Sequence, residues 1–282
     1  MKRIIISLFC FFLSHAHDDS AYREIEHQEL WPIFNNQVVT NSHGTDGFGS
    51  QFRAIIACVF YAELYHMKYA YTPFAIMEHN YDNDQDFLAK KEWLINFIGN
   101  FDINKETNAI IPQEPAFFFF HQNNVIQLEK SIALKKIKEI FRANKDKNNY
   151  FDSNRFNIAI HVRRPNPHDN RIDGTDTPDS VFLTIINKLR GDYFSKNPLF
   201  HVYSQGDREN FKAFEAPDII LHLNESIEDS FIPMVFADVL VTSRSTFSYT
   251  AGLLSEGTVY YMPPFGCLPL PHWITLDQTL YK

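Results

Sequence analysis

The sequence predicts an α/β fold whose parallel sheet is covered by helices on both faces. Two observations carry this. Between residues 156 and 262, short apolar runs alternate regularly with segments of helical period, the pattern of strand–helix units in a parallel sheet. Nearer the N-terminus, a strand, a glycine-containing loop and a helix follow one another at residues 37–40, 41–51 and 52–67.

Taken in order, residues 17–36 are polar and aperiodic, a lead-in with a short helix around residues 22–30. In residues 52–67, Ile55, Ile56, Val59, Phe60 and Leu64 recur at helical spacing. A second strand is expected at 69–74, a helix at 87–101 and one longer helix at 125–143. The proline- and phenylalanine-rich stretch 112–120 carries no clear assignment. Residues 144–154 are charged and lack an apolar period, which marks an interdomain linker. Beyond it come strands at 156–163, 199–204, 218–222, 238–242 and 258–262, separated by helices at 178–190, 208–214, 228–236 and 246–255. The last twenty residues, with Pro263, Pro264, Pro269 and Pro271, are extended, and 266–282 are assigned as a tail.

The composition is globular: 45% apolar, 21% charged and 15% aromatic. A net charge of −8 makes the chain a poor general partner for nucleic acid, which needs a basic face. Lys2 and Arg3 precede an apolar run ending at Leu13, and Ser14-His15-Ala16 offers small residues where a signal peptidase would cut. Residues 1–16 are therefore expected to be a signal peptide, or, on the alternative, a short signal anchor. That implies the secretory pathway: the lumen, the outside of the cell or the periplasm. The apolar run is well short of the roughly 20 residues that span a bilayer. Cleavage leaves Cys58 and Cys267, which could pair in an oxidising compartment but sit in apolar surroundings that suit buried thiols. Asn224-Glu225-Ser226 is a glycosylation sequon.

Three strand ends carry candidate chemistry. The apolar run Ile158 to Ile160 stops abruptly at His161, Arg163 and Arg164. Ligands of open α/β sheets bind beyond the carboxyl ends of strands, and paired guanidinium groups there suit the oxygens of a diphosphate. The alternative is an exposed terminus with two solvated arginines. A second end, Tyr203-Ser204-Gln205-Gly206-Asp207, places Asp207 either against a ribose or base or, by the simpler reading, at a helix cap. A third runs into residues 243–248, where Ser243, Ser245, Thr246 and Ser248 precede or open a helix. Such a helix N-terminus favours phosphate, although any one hydroxyl is also an ordinary cap. Gly47-Phe48-Gly49-Ser50-Gln51 is a second possible phosphate loop, without a full dinucleotide fingerprint or a P-loop lysine.

Together these stretches resemble the fucosyltransferase-like superfamily of inverting glycosyltransferases, which includes the bacterial α-1,2-, the α-1,6- and the protein O-fucosyltransferases. The resemblance rests on the Gly47-x-Gly49 loop, on His161-Val162-Arg163-Arg164 and on Ser245-Thr246-Phe247-Ser248, in matching order over residues 37–262. It implies a GT-B-like architecture of two Rossmann-like domains with a nucleotide-sugar cleft between them. Residues 17–150 would form the acceptor-side domain and 151–265 the nucleotide-sugar-binding domain. It implies Arg163 or Arg164 on the β-phosphate, Ser245, Thr246 and Phe247 near the nucleotide, Gly47 and Gly49 against the phosphates, and Asp207 near the nucleoside. Asn166 stands where the family has aspartate, after Pro165, and Ser50 where asparagine is usual; an insertion with His168, Asp169, Asp173 and Asp176 follows. The family default donor is GDP-fucose, with another sugar nucleotide such as UDP-xylose as the alternative, and the acceptor is a glycan or glycoprotein hydroxyl.

Transfer needs a base for the acceptor proton and positive charge for the leaving diphosphate. Asp46, then His43, are the candidate bases, and His161 orients the arginines. The arginines and helix N-termini supply the charge, so no cofactor or metal is expected. Asp84-Gln85-Asp86 matches an Asp-x-Asp metal motif but precedes a helix, where acids cap. The competing readings are a phosphate-ester hydrolase with His161 as nucleophile and a non-catalytic glycan- or nucleotide-binding module.

Overall fold

The structure is a computed structural model that describes residues 31–113, 115–164, 177–277 and 279. The signal segment, the helix expected around 22–30, the motif residues Pro165 and Asn166, and the insertion with His168, Asp169, Asp173 and Asp176 that follows them lie outside the described residues. No helix among the described residues is long and apolar enough to cross a membrane.

The fold is mixed α/β with parallel strands. In the C-terminal half, β3 (Phe156–His161), β4 (Pro198–Ser204), β5 (Ile219–Leu223), β6 (Val239–Val241), β7 (Thr258–Tyr261) and β8 (Ile274–Thr275) form one parallel sheet in the order β5-β4-β3-β6-β7-β8. Order runs one way from β3 to β5 and the other way from β6 to β8. The reversal between β3 and β6 is the topological switch point, where ligands of Rossmann-like sheets bind. Four consecutive residues of β3, Asn157 to Ile160, are buried, as expected of a strand covered on both faces. Ile158, Ile160, Phe200, Val202, Val239 and Val241 face helix α5 (Asp179–Asp192). Ala159, Tyr203, Leu240 and Val259 face the other way, into a core shared with the N-terminal half.

That half begins with β1 (Asn35–Val39), α1 (Phe48–Leu64) and β2 (Met67–Tyr69), a parallel β-α-β unit. Then come α2 (Phe87–Ile95), a 3-10 turn at Pro115–Phe120, α3 (Gln122–Glu129) and α4 (Ile132–Arg142). Helices α6 (Ile227–Phe236) and α7 (Thr246–Leu254) of the C-terminal half complete the shared core. Its centre is aromatic: Phe48 meets Phe231 edge-on at 5.0 Å, Phe231 meets Phe141 at 5.8 Å, and Phe231 meets Phe247 at 5.3 Å.

Several expectations change in detail. The helix expected over 125–143 is two helices, because Ser131 caps a fresh start by accepting from Leu134 N at 3.0 Å. Glu63 on α1 accepts from Ile132 N and Ala133 N at 2.9 and 3.0 Å, so two further orphan amides of α4 are met by a side chain. The helix expected over 87–101 ends at Ile95, where Asn96 adopts the left-handed conformation that stops helices. Residues 208–214 form a 3-10 helix. The strand expected at 69–74 ends at Tyr69, with only an isolated bridge from Tyr71 to Ile103. The tail is not wholly extended away from the fold: Ile274–Thr275 pairs with β7 as the sixth strand.

Polar contacts stitch the halves together. Lys91 on α2, only 2% exposed, pairs with Glu228 on α6 at 2.6 Å. Lys147, in the segment joining the halves, pairs with Asp238 at 2.6 Å. Arg142 donates to the carbonyls of Val235 and Leu254 at 3.2 and 3.4 Å. Removing one partner of a buried pair strands the other charge, so Lys91→Met is expected to lose about 3–5 kcal/mol in denaturant unfolding. Adding Glu228→Gln should recover much of that loss, and two additive losses would show that the pair is not coupled.

Candidate active site

The site lies at the switch point, where β3 and β6 end side by side. His161 closes β3, and Ser243, two residues past β6, is within 2.7 Å of its Nδ1. Burial, then the charge of Arg163, push the His161 imidazole down to about 3, so the ring is neutral near pH 7. Its ring centre lies 5.6 Å from that of Phe247, with the two rings tilted.

The hydroxyls of residues 243–248 mostly build this turn. Ser245 is the N-cap of α7 and accepts from Phe247 N at 3.3 Å. Ser248 Oγ accepts from Ser243 N at 3.1 Å, folding the turn back on the first turn of the helix. Each hydroxyl answers a main-chain donor or His161, which accounts for three of the four. Thr246 is half-buried at the first turn of α7, and no hydrogen bond of its hydroxyl occurs among the described residues.

The two arginines part company. Arg164 forms an ion pair with Asp179, the first residue of α5, and its guanidinium lies 5.0 Å above the ring of Phe211. Arg163 is 8% exposed and close enough to His161 to act on its titration.

The glycine loop docks directly onto this turn. A Cβ on Gly49 would stand 2.5 Å from Phe247 Cα and 2.6 Å from Phe247 N, so only glycine lets α1 start this close to α7. Thr250 Oγ1 locks the approach by donating to Gly49 O at 2.9 Å. Gly47 is crowded from elsewhere: its Cβ would fall 2.7 Å from His79 Nε2. His79 sits at φ +75°, an unusual conformation for a residue with a side chain, and its Nδ1 is 2.5 Å from Tyr81 OH. Sequence reasoning missed His79, and nothing local singled it out.

Asp46 and His43 are exposed on the same loop and line one cavity of about 200 Å³ with Ser50, Gln51, Cys58 and Phe74. Ser50 donates to Asp46 Oδ2 at 3.1 Å. Gln51 Nε2 pins the loop by donating to the carbonyls of Asp46 and Ile76 at 2.6 and 2.8 Å. The structure therefore gathers His161, Arg163, Ser245, Thr246, Phe247, Gly47 and Gly49 around one junction, with Asp46 and His43 in the adjoining cavity.

Asp207 stands apart. It occupies the N-cap position after β4, but its side chain makes no capping bond, and among the described residues no hydrogen bond ties it to the junction. Asp86 likewise sits at the N-cap of α2 without a side-chain cap bond, while Asp84 is held by Lys90 at 2.6 Å. Among the described residues no group of three metal-ligating side chains gathers. Cys58 and Cys267 are both free and buried, with Cys267 Sγ 2.5 Å from Arg53 Nη1. The sequon asparagine, Asn224, is exposed, but its amide already holds Gly206 through N–H and C=O at 2.8 and 3.0 Å.

No family model matches the chain, and no curated protein matches it. Among solved structures it is similar to the NodZ alpha-1,6-fucosyltransferase co-crystallized with GDP, at 11% identity over 83% of this chain and 98% of that one, with a TM-score of 0.43. It is also similar to the fucosyltransferase NodZ from Bradyrhizobium, at 11% identity over 78% of this chain and 94% of that one, with a TM-score of 0.41.

Gly49→Ala places a methyl group against main chain rather than a mobile side chain. It is expected to lower stability by about 1–3 kcal/mol in denaturant unfolding, as overpacking does. An alanine variant as stable as the parent would mean that α1 and α7 do not meet this closely.

Proposed function

We propose that this chain is an inverting glycosyltransferase that moves L-fucose from GDP-fucose to a hydroxyl of a glycan or glycoprotein. The observation that carries this reading is the docking of the Gly49 loop on the N-terminus of α7, beside His161 and Arg163 at the switch point. Two helix N-termini and a buried arginine converge there, which is what a leaving diphosphate needs. The site would lie between an acceptor-side half, residues 17–150, and a donor-side half, residues 151–265, in a GT-B-like arrangement. An N-terminal signal would send the chain into the secretory pathway.

In this mechanism an acceptor hydroxyl attacks the anomeric carbon from the side of the Asp46–His43 cavity. Asp46 takes the proton as the carbon–oxygen bond forms; the bond to the diphosphate breaks, and its electron pair leaves with the nucleotide. Configuration inverts because attack and departure are on opposite faces. Arg163 meets the charge developing on the β-phosphate. His161, neutral and anchored by Ser243, holds the end of β3 in place without adding charge. Arg164 fixes the start of α5 through Asp179 and acts on the donor from farther off. No metal is called for, because fixed cations and dipoles meet the leaving-group charge.

Thermal stabilisation by GDP, UDP, CDP and their sugars tests the donor, since a ligand that prefers the folded chain raises its stability. A GDP-selective shift without divalent ion is expected, and Arg163→Ala should reduce it through an affinity for GDP about tenfold or more weaker, the loss of one charge-assisted bond. A UDP-selective shift would replace the donor, and no shift with any nucleotide would overturn the reading. With a donor in hand, Asp46→Asn is expected to lower kcat by about 10²–10⁴ with little change in KM for the donor, as loss of a general base does. An unchanged kcat would pass the role to His43.

A further inference from the structure

A row of polar side chains crosses the sheet on the face opposite α5. Asn157 on β3, His201 on β4 and His222 on β5 are hydrogen-bonded in series, and the series ends at Glu225 just beyond β5. The contacts are His201 Nε2 to Asn157 Oδ1 at 3.1 Å, His201 Nδ1 to His222 Nε2 at 3.1 Å, and His222 Nδ1 to Glu225 Oε1 at 2.8 Å.

Counting protons along this row gives a definite answer. The Asn157 amide is oriented by its own nitrogen, which donates to the carbonyls of Asp152 and Arg155 at 3.0 and 2.9 Å. Its oxygen therefore faces His201 and can only accept, so His201 Nε2 must carry a proton. Burial first, then His222 and Arg155, hold the His201 imidazole down to about 4, so that ring is neutral and its Nδ1 is an acceptor. The bond between the two rings then requires a proton on His222 Nε2. At the other end the Glu225 carboxylate also accepts only, so His222 Nδ1 must carry a proton too. Three bonds need three ring protons on two imidazoles. The row closes only when His222 is an imidazolium; neutral His222 can keep Glu225 or His201, not both.

The row borders the candidate site. His161, Tyr203 and His222 are register partners across β3, β4 and β5, and the rings of Tyr203 and His222 stack at 4.5 Å. Glu225 follows Asn224, whose amide clamps Gly206 in the loop that carries Asp207. We propose that His222 is a positioning residue that bridges Glu225 and His201 when doubly protonated and releases one of them when neutral, so that one proton sets the β4–β5 rim of the site. Among the described residues, these charged and titratable groups bear on the row. His201 and Tyr203 come from β4, Arg155 precedes β3, and Glu225 follows β5. Helix α6 starts two residues past Glu225, and its Glu228 and Asp229 are engaged by Lys91 and by the Ser226 hydroxyl. The proton count stands by itself; only the consequence for the rim rests on the nucleotide-binding reading.

The test is a nitrogen-15 NMR spectrum of the histidine rings in the full chain, from about pH 6 to about pH 8, a window around or above the ordinary histidine value. At the lower pH one ring should be protonated on both nitrogens and a second on Nε2 alone; Glu225→Gln should perturb the first more than the second. At the higher pH the first ring should lose a proton while the second keeps its tautomer. A proton on Nδ1 of His201 would overturn the proposal, since it means that the Asn157 amide is turned and the row is neutral. For the rim, GDP affinity should fall by up to about tenfold across the same window, the scale of one hydrogen bond to a charged group. That slope should be lost in His222→Phe, which keeps a ring against Tyr203. A variant that retains the slope overturns the positioning role. A parent chain that binds no GDP at either pH overturns the consequence for the rim, and the ring spectrum then decides the proton count alone.

Discussion

The contact of Gly49 with the main chain of Phe247 governs how the rest of the molecule is arranged. It brings the start of α1, from the N-terminal half, against the start of α7, from the C-terminal half, closer than any residue with a Cβ allows. The aromatic core then has to fill the space behind this junction, and Phe48, Phe231 and Phe247 do so edge-on. The site follows from the same constraint. With the helix starts in contact, the partial positive charges of two N-termini fall beside His161 and Arg163 instead of in separate halves.

Holding two halves in such a contact puts charged groups into the interface, and several are paired there. Lys91 has Glu228, and Lys147 has Asp238, which also accepts from Asn157 N at 2.8 Å. Glu63 is buried, yet it replaces water for two amides at the start of α4; burial raises its titration point while those amides pull it back. Glu92 does similar work for Tyr71 OH and Phe74 N, at 2.9 and 2.7 Å. These carboxylates are structural. Their perturbed titration reflects burial and amide contacts, so perturbation alone does not point to the chemistry of this protein.

The C-terminal sheet was legible in the sequence because its evidence is local. Ile158 to Ile160 is an apolar run of the kind a strand covered on both faces buries, and Ser245 stands among the hydroxyls that announce the helix it caps. The boundaries that were misplaced depend on a single residue. Ser131 splits one helical pattern into two, and Asn96 stops another by turning left-handed, although the apolar period runs on past both. The strand at Ile274–Thr275 could not be read at all: two residues of a proline-rich tail become a strand only because the β7 edge is there to pair with them. The motif residues around the junction were legible as types, but not their division of labour. That Arg164 belongs to Asp179 and that Gly49 is needed for helix packing are consequences of what lies opposite them in space. His79 and the row from Asn157 to Glu225 join residues from separate segments, and no window of sequence contains them.

The hydroxyl-rich turn shows why a motif should be discounted before it is given a ligand. Four hydroxyls in residues 243–248 look like a phosphate cradle. Yet Ser243 answers His161, Ser245 answers Phe247 N, and Ser248 answers Ser243 N. Those bonds occupy the side chains and shape the main chain. What the turn offers a ligand is therefore the end of α7 and the hydroxyl of Thr246, set beside Arg163. An anion there would be met by main-chain N–H groups and a guanidinium, contacts that recognise charge and geometry rather than a particular sugar. The other side of the junction is different in kind: there Asp46, His43 and Phe74 line the cavity and His79 crowds Gly47. The charge lies in the C-terminal half, in Arg163 and the start of α7, while the loop of the N-terminal half contributes the cavity residues Asp46 and His43.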